Sequence, residues 1–212
     1  CKTRVNEEII ERKIATHAEA LNFIFSLISH EKIDCIGHRV VHGGDSYNSA
    51  VLINDNVLKK ISELSELAPL HNALNISCIK TAQNSFPNLK QVAVFDTAFH
   101  QTIPKEAYLY AIPYFYSKKY KIRKYGFHGI SHKYAMLEAK KILKKDKVNL
   151  ITCHLGNGCS ITAIRNNKSI DTSMGFTPLQ GLIMGTRSGD IDSGIIEFLA
   201  KKEKLSVQKI LN

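Results

Sequence analysis

Two apolar segments that each run into polar residues and glycine constrain the fold of this chain most. The first is IDCIGHRVVHGG, at residues 33–44, and the second is QVAVFDTAFH, at residues 91–100. Both are typical of buried strands that deliver their ends to a loop. The segment between them, PLHNALNISCIKTAQNSF at residues 69–86, has helical spacing, and Pro69 suits a first helical turn. Strands that alternate with helices predict an α/β sheet whose polar residues gather at its carboxyl edge.

Two further stretches predict helices in the first half of the chain. Apolar residues recur at spacings of three and four between residues 5 and 30, namely Ile10, Ile14, Ala18, Leu21, Phe25 and Ile28. A shorter helix is expected at 55–67. After Phe99, two prolines and an aromatic run make a linker-like crossover. We therefore place a domain boundary near residue 100, with one domain at 1–99 and the other at 100–212.

The second half begins with a basic helix, expected at 131–145, and continues as strands. Three strand-like segments, VNLITCHL, CSITAIR and KSIDTS, are joined by tight turns at 156–158 and 166–167. A glycine-rich loop, MGFTPLQGLIMGTRSGDIDSG, then precedes a helical C-terminal stretch. Consecutive strands joined by short turns predict antiparallel hairpins in this half.

The composition is that of an ordinary globular chain. Of the 212 residues, 44% are hydrophobic and 23% are charged, which excludes a disordered chain. No apolar stretch approaches the roughly 20 residues of a membrane span, so we expect no membrane partner. The segment after Cys1 lacks the pattern of a secretory signal. The five cysteines are scattered and form no Cys-x-x-Cys pair, which favours a reducing, cytoplasmic compartment.

The net charge of +10 is concentrated in one segment. Residues 118–147 carry 11 basic and 2 acidic groups, a net of +9. With Tyr116, Tyr120 and Tyr125 interleaved, this segment could bind nucleic acid. It could equally be the solvated face of a helix, or a field that attracts anionic substrates. The charge pattern alone leaves these alternatives open.

The sequence HLGNGCS carries the most informative local pattern. The turn Gly156-Asn157-Gly158 has few side-chain atoms, so its backbone N–H groups can approach a phosphate. It lacks the Lys-Ser/Thr of a P-loop. Because Asn-Gly also favours tight turns, a plain structural hairpin explains it as well.

Five charged or titratable residues lie near predicted strand ends and glycine-rich loops. Arg39 ends a strand, and Arg187 lies between glycines in MGTRSGD. Guanidinium groups suit bidentate recognition of phosphate and carboxylate, although a lone Arg is usually a surface ion pair. Asp96 ends the VAVFD strand, where it could orient a metal or nucleophile or simply cap a turn. His128 and His132 are four residues apart and could share a helix face, but no acidic third ligand lies nearby.

Taken together, these segments resemble the acetate kinase family. The motifs HRVVHGGD, APLHN, VFDTAFHQTIP, YGFHGISH, HLGNGCSITAI and DTSMGFTPLQGLIMGTRSGDID occur in that family's order and spacing. The resemblance implies an actin-like ATPase fold with parts of two ribonuclease-H-like domains flanking a cleft. It also implies reversible phosphoryl transfer from ATP to acetate, giving acetyl phosphate and ADP, with Mg2+ or Mn2+. A homodimer and a role in acetyl-CoA biosynthesis are implied as well, without a nucleic-acid partner.

The resemblance also assigns roles to residues. Arg39 and Arg187 would flank the carboxylate and the transferred phosphoryl group, His128 would stabilise the transition state, and Asp96 would orient the metal or acceptor. The expected nucleotide-binding residues are His154, Leu155, Gly156, Asn157 and Gly158. The expected pocket for the acetate methyl group consists of Val41, Leu70, Phe127 and Pro178. No metal ligand is expected within this chain.

The chain departs from the family pattern at a few positions and in length. Asp45, Ala73, Gln180 and Ser193 stand where the family usually has Glu, Pro, Glu and Pro. Family members are roughly twice as long, and the chain is expected to start inside the first domain and stop within the second. A propionate or butyrate kinase of the same family, and an inactive truncated fragment, are therefore alternatives.

Overall fold

The computed structural model describes residues 2–5, 8–11, 13–28 and 32–211, without the side chains of residues 2–5, 8–11, 69 and 70. It falls into two units. The first unit is Cys1–Gln101 with His128–Lys133, and the second is Thr102–Phe127 with Tyr134–Asn212. The assignment of 1–99 and 100–212 to two ribonuclease-H-like domains stays a prediction.

The first unit is built around a three-stranded sheet. Its elements are, in order, β1 (Lys2–Val5), β2 (Glu8–Glu11), α1 (His17–Leu27), β3 (Cys35–Val40), β4 (Val51–Leu52), α2 (Asp55–Glu63), α3 (Pro69–Ser85) and β5 (Lys90–Phe95). In the sheet, β3 pairs in parallel with the central strand β5, and β4 pairs antiparallel with its other edge. The apolar segments at 33–44 and 91–100 both contain strands, as predicted, and these strands are parallel neighbours in the sheet.

One face of this sheet is covered by helices that bury a small core. Helix α3 packs against β3 and against α1 and α2, and Pro69 occupies its first turn, as predicted. The core consists of Val40, Val57, Ile61, Ile79, Ala93 and Phe95. These residues come from both strands and both adjoining helices, so burying them fixes the strand ends that carry polar residues.

The prediction of one long helix at 5–30 is wrong in its first part. The structure has the antiparallel pair β1 and β2 there, and α1 begins only after Thr16. The Thr16 side chain accepts a hydrogen bond from the Glu19 backbone N–H at 3.1 Å, and the Glu19 carboxylate accepts one from Ala15 N–H at 3.1 Å. This reciprocal capping defines the helix start more strongly than apolar spacing does. The expected end at His30 lies outside the described residues.

The second unit is built around an antiparallel meander. Its elements are α4 (Lys105–Tyr108), α5 (Tyr114–Tyr120), α6 (Gly129–Leu143), β6 (Leu150–Leu155), β7 (Cys159–Arg165), β8 (Lys168–Thr172), α7 (Ser193–Glu203) and α8 (Val207–Leu211). The first turn of α6 belongs to the first unit. The strand order β6-β7-β8 confirms the predicted hairpins. Among the described helices, none combines the length and apolar character needed to cross a bilayer.

Candidate active site

The carboxyl edge of the first sheet brings Arg39 and Asp96 together. Arg39 is the penultimate residue of β3, and Asp96 directly follows β5, so parallel pairing places them side by side. Arg39 Nε donates to both Asp96 carboxylate oxygens at 3.1 Å, and Nη2 donates to Oδ2 at 2.5 Å. The Asp96 side chain is 3% exposed and that of Arg39 is 61% exposed. The buried carboxylate therefore orients a guanidinium that remains accessible.

This contact also sets the charge of Arg39. Its hydrogen bonds to Asp96 raise the pKa of the guanidinium above its usual value, so the group stays a cation. The contact uses Nε and Nη2, and Nη1 makes no hydrogen bond to the part of the chain that the structure describes. Those N–H groups can bind an anionic ligand, because a guanidinium carries five donors in one plane.

The loop after β3 is fixed by polar side chains of α3 and of the segment after β5. The Asn72 side chain accepts from His42 N–H at 3.2 Å and donates to the His42 carbonyl at 3.1 Å. Asn75 accepts from Val41 N–H at 3.2 Å, and the Thr97 hydroxyl accepts from Gly43 N–H at 3.0 Å. Asn72 and Asn75 were not predicted from the sequence as positioning residues. The pattern PLHNALN, with two amides three residues apart on one helix face, was the available signal.

His128 joins the same edge through its backbone. It begins the turn into α6 in a left-handed conformation, with φ of 57°. The next residue, Gly129, donates its N–H to the Asp96 carbonyl at 2.9 Å. A Cβ on Gly129 would lie 2.2 Å from that carbonyl oxygen, so only glycine allows this approach. The structure thus pairs Arg39 with Asp96 and places the backbone that follows His128 beside Asp96, all within the first unit.

His132 lies in the first turn of α6. It is buried, with its ring centroid 5.7 Å from that of His100. In the described residues, no three or more His, Cys, Asp and Glu side chains are grouped to hold a metal ion. The edge-on packing of the His132 ring against a second buried ring is typical of a structural histidine.

In the second unit, the loop 156–158 is a hairpin turn between β6 and β7. Gly156 donates its N–H to the Gly158 carbonyl at 3.1 Å, and Gly185 donates to the Asn157 carbonyl at 3.3 Å. A Cβ on Gly185 would lie 2.7 Å from the Asn157 amide oxygen. The glycine-rich loop that carries Arg187 therefore packs directly against Asn157. Leu155, at the end of β6, is 75% exposed, and His154 pairs with Ser160 in the ladder.

Arg187 is held in its loop mainly by backbone contacts. The Met184 N–H donates to the Arg187 carbonyl at 3.0 Å, and Arg187 Nη1 donates to the Pro178 carbonyl at 3.2 Å. Arg187 is half-buried, and no carboxylate contacts it within the described residues. This leaves most of its guanidinium donors available to a ligand.

The residues expected to form the methyl pocket have different environments. Val41 is half-buried at the end of β3 in the first unit, and the side chain of Leu70 lies outside the described part of the structure. In the second unit, Phe127 is buried and Pro178 is half-buried. The assembly of these four residues into one pocket stays a prediction.

Two lysines at the start of the basic segment at 118–147 lie over nearby aromatic rings. Lys118 Nζ lies 5.2 Å from the ring centroid of Tyr114, and Lys119 Nζ lies 5.5 Å from Phe115 and 5.0 Å from Tyr120. Cation–π contacts of this kind are worth about 0.5–1 kcal/mol at exposed sites. They favour the interpretation of this stretch as a solvated surface over that of a platform for stacked bases.

Comparison with known proteins assigns the family. The model of the Acetokinase family matches residues 2–212. The chain belongs to the acetokinase family. It is 53% identical over 220 residues to the acetate kinase of Thermotoga maritima, covering 98% of this chain and 55% of that protein. The chain spans about half the length of the curated relatives it matches.

Solved structures of the family share this fold. A propionate kinase from Francisella tularensis subsp. tularensis SCHU S4 has a TM-score of 0.92 and 50% identity, covering 96% of this chain and 54% of that one. The Porphyromonas gingivalis acetate kinase has a TM-score of 0.91 and 42% identity, covering 100% and 57%. The expected fold class, α/β of the actin-like ATPase type, is confirmed.

The metal that acetokinase membership implies, Mg2+, does not fit the described residues alone. Both oxygens of Asp96, the carboxylate at the first unit's candidate site, contact Arg39. Mg2+ requires a near-octahedral set of oxygen ligands, so direct binding to Asp96 would compete with the guanidinium.

Proposed function

We propose that the protein is an acetate kinase, which transfers the terminal phosphoryl group of ATP reversibly to acetate. The observation that carries this proposal is the accessible guanidinium of Arg39, held by the buried carboxylate of Asp96 at a sheet edge, in a chain of the acetokinase family. A fixed cation with free N–H donors suits a carboxylate substrate.

The chemistry requires positioning more than acid–base catalysis. Acetate, with a pKa near 4, is already ionised at neutral pH and needs no general base. One acetate oxygen would attack the γ-phosphorus as the bond from that phosphorus to the β,γ-bridging oxygen breaks. The products would be acetyl phosphate and ADP. The main barrier is the approach of two anions, which fixed positive groups and backbone donors lower.

The residue roles follow from this requirement. Arg39 would bind the acetate carboxylate, with Asp96 as its positioning residue, and Arg187 would neutralise the transferred phosphoryl group. His128, next to Asp96, would donate to the developing charge of the transition state. The amides around Asn157 would contact the nucleotide phosphates, whose charge Mg2+ would neutralise. Val41, Leu70, Phe127 and Pro178 would surround the methyl group.

A propionate kinase is the second candidate. It is favoured by the similarity to the Francisella tularensis propionate kinase structure. One additional methylene in an apolar pocket changes kcat/KM by about 10–200-fold, so the preference for one substrate is graded. A homodimer, a cytoplasmic location and a role in acetyl-CoA biosynthesis are part of the same proposal.

The test is acyl phosphate formation by the full chain, trapped with hydroxylamine, with acetate, propionate and butyrate as acceptors. We expect ATP-dependent product with the highest kcat/KM for acetate. A higher kcat/KM for propionate or butyrate would move the assignment to the second candidate. No acyl phosphate with any of the three acids, from a chain that retains its fold by circular dichroism, would contradict the proposal and favour an inactive fragment.

A further inference from the structure

The second unit contains a basic cavity at the opposite end of β7 from the Gly156–Gly158 loop. The cavity has a volume of about 440 Å³, and Lys147, Arg165 and Lys168 line it together with Asn166, Thr102 and Ile170. Strand β7 has seven residues. At about 3.3 Å per residue, its two ends lie roughly 20 Å apart. The cavity is therefore separate from the loop proposed above for nucleotide phosphates.

The cavity is bounded by a turn that hydrogen bonds hold in place. Asn166 and Asn167 have φ of 50° and 66°, the left-handed pair of a tight hairpin turn between β7 and β8. Asn166 N–H donates to the Asn149 side chain at 2.8 Å. The Asn167 side chain donates to the Asp146 carbonyl at 2.7 Å and accepts from Val148 N–H at 3.0 Å. These bonds fix the segment at 146–149 to the turn.

Thr102, which lines another wall of the cavity, is fixed to strand β8. The Thr102 hydroxyl donates to the Ser169 carbonyl of β8 at 2.8 Å. The side chains of Lys147, Arg165 and Lys168 are exposed, so a ligand can reach them from the solvent. The hydrogen bonds described above already order the backbone around the cavity, and this lowers the entropy cost of binding a ligand.

The charge of this cavity is uncompensated. Three cationic side chains line it, and no carboxylate of the described residues does. Elsewhere in the described chain several lysines form ion pairs, such as Lys124 with Asp171 at 2.7 Å and Lys201 with Glu197 at 2.5 Å. None of Lys147, Arg165 and Lys168 has an ion-pair partner within the described residues. Three like charges around one hollow repel one another, and a bound dianion would relieve that repulsion.

We propose that this cavity binds a small phosphorylated molecule, separately from the reaction site. Arg165 would make a bidentate contact with the phosphate, and Lys147 and Lys168 would add point charges. The Ile170 side chain gives the hollow an apolar wall for a short carbon skeleton. A volume of this size suits a small ligand. No aromatic ring lines the cavity, so bases of a nucleic acid would find no stacking surface.

The experiment is a titration of the full chain with inorganic pyrophosphate, read by NMR at the isoleucine δ1 methyl groups. The signal of Ile170 is assigned with the Ile170→Val variant. We expect a saturable shift of this signal with a Kd of about 1 mM or tighter. The double variant Arg165→Gln/Lys168→Gln should weaken Kd by about tenfold or more. Because both residues are exposed, its melting temperature should be unchanged.

The matched control is Lys202→Gln/Lys209→Gln, which removes the same charge from α7 and α8. It should leave the Kd at Ile170 unchanged. An equal loss of affinity in the control would overturn the proposal, since the overall field would then explain binding. A shift that fails to saturate would also overturn it. A short single-stranded oligonucleotide that displaces pyrophosphate at lower concentration would replace it with a nucleic-acid surface. The single variant Lys147→Gln gives an independent reading if the double variant unfolds.

Discussion

The two units hold their candidate arginines in different ways. In the first unit, Arg39 is fixed by the buried carboxylate of Asp96, and the adjoining loop is fixed by buried amide side chains such as Asn72. In the second unit, Arg187 is held by one carbonyl and by backbone contacts between glycine-rich loops. In the first unit, the arginine proposed to bind the ligand also contributes to stability through a buried carboxylate. In the second unit, the proposed ligand-binding arginine contributes little to stability, so equivalent substitutions should have different consequences in the two units.

The largest expected effect is on turnover, and it should be shared by both units. Arg39→Ala and Arg187→Ala should each lower kcat by about 10²–10³-fold, because each removes a fixed positive group from the anionic transition state. Steady-state kinetics of the full chain measure this. Lys80→Ala, an exposed lysine on α3, is the control and should keep normal kcat. Near-normal turnover of either arginine variant would remove that residue from the proposed site.

The next largest effect is on the free energy of unfolding, and it should differ between a glycine of the first unit and one of the second. Gly129→Ala places a Cβ 2.2 Å from the Asp96 carbonyl oxygen, whereas Gly156→Ala places one 3.5 Å from the Gly158 carbonyl oxygen. We expect Gly129→Ala to lower the free energy of unfolding by about 3 kcal/mol through backbone displacement. Gly156→Ala should be tolerated. Urea denaturation of both variants measures the difference, and equal stability would show that the first turn of α6 adjusts freely.

A smaller effect distinguishes the two arginines by stability. Arg39→Ala leaves the carboxylate of Asp96 buried without its ion-pair partner and should cost about 2 kcal/mol. Arg187→Ala loses one hydrogen bond to a carbonyl and a weak one to the Met184 sulfur, and should cost less than about 1 kcal/mol. Chemical denaturation gives both values. The double variant Arg39→Ala/Asp96→Asn should recover part of the loss, and no recovery would mean that the cost arises elsewhere than at the carboxylate.

The smallest effect is a pH dependence confined to the first unit. Burial lowers the pKa of His42 to about 4, from 6.5 when unfolded. The unfolded chain therefore binds more protons between these values, and stability falls as pH drops below 6.5. The expected loss is about 1 kcal/mol between about pH 7 and pH 5.5. His38, whose pKa burial also lowers, acts in the same direction.

The variant His42→Gln tests the source of that pH dependence. Its amide oxygen can still accept the Gly44 N–H hydrogen bond that His42 accepts at 3.0 Å. The slope of unfolding free energy against pH should flatten in this variant. An unchanged slope would assign the effect to other groups.

Much of the fold follows from local sequence patterns. Strands β3 and β5 are readable because each is a short apolar run that stops at a polar residue, and parallel pairing then makes Arg39 and Asp96 neighbours. The hairpin at Asn157 can be predicted from the glycines on either side of it. The start of α1 is not readable from apolar spacing, because the capping contacts of Thr16 decide it.

The supporting residues of the candidate site were harder to predict. Asn72 is a polar residue inside a helix, which in sequence resembles any solvent-facing position, and only the packing of α3 on the sheet buries it. The left-handed backbone of His128 likewise depends on its contact with the distant Asp96 segment. Local patterns predict which groups lie at strand ends, whereas long-range packing determines what holds them.

The pairing of β3 with β5 has a consequence for how the chain acquires its structure. Arg39 and Asp96 are 57 residues apart, so their contact requires the closure of a long loop before any pairing energy is gained. The meander β6-β7-β8 joins strands that follow one another, and its contacts close short loops. Local contacts form faster than distant ones, so the meander should assemble early. The contact between Arg39 and Asp96 should be among the last native contacts to form during synthesis.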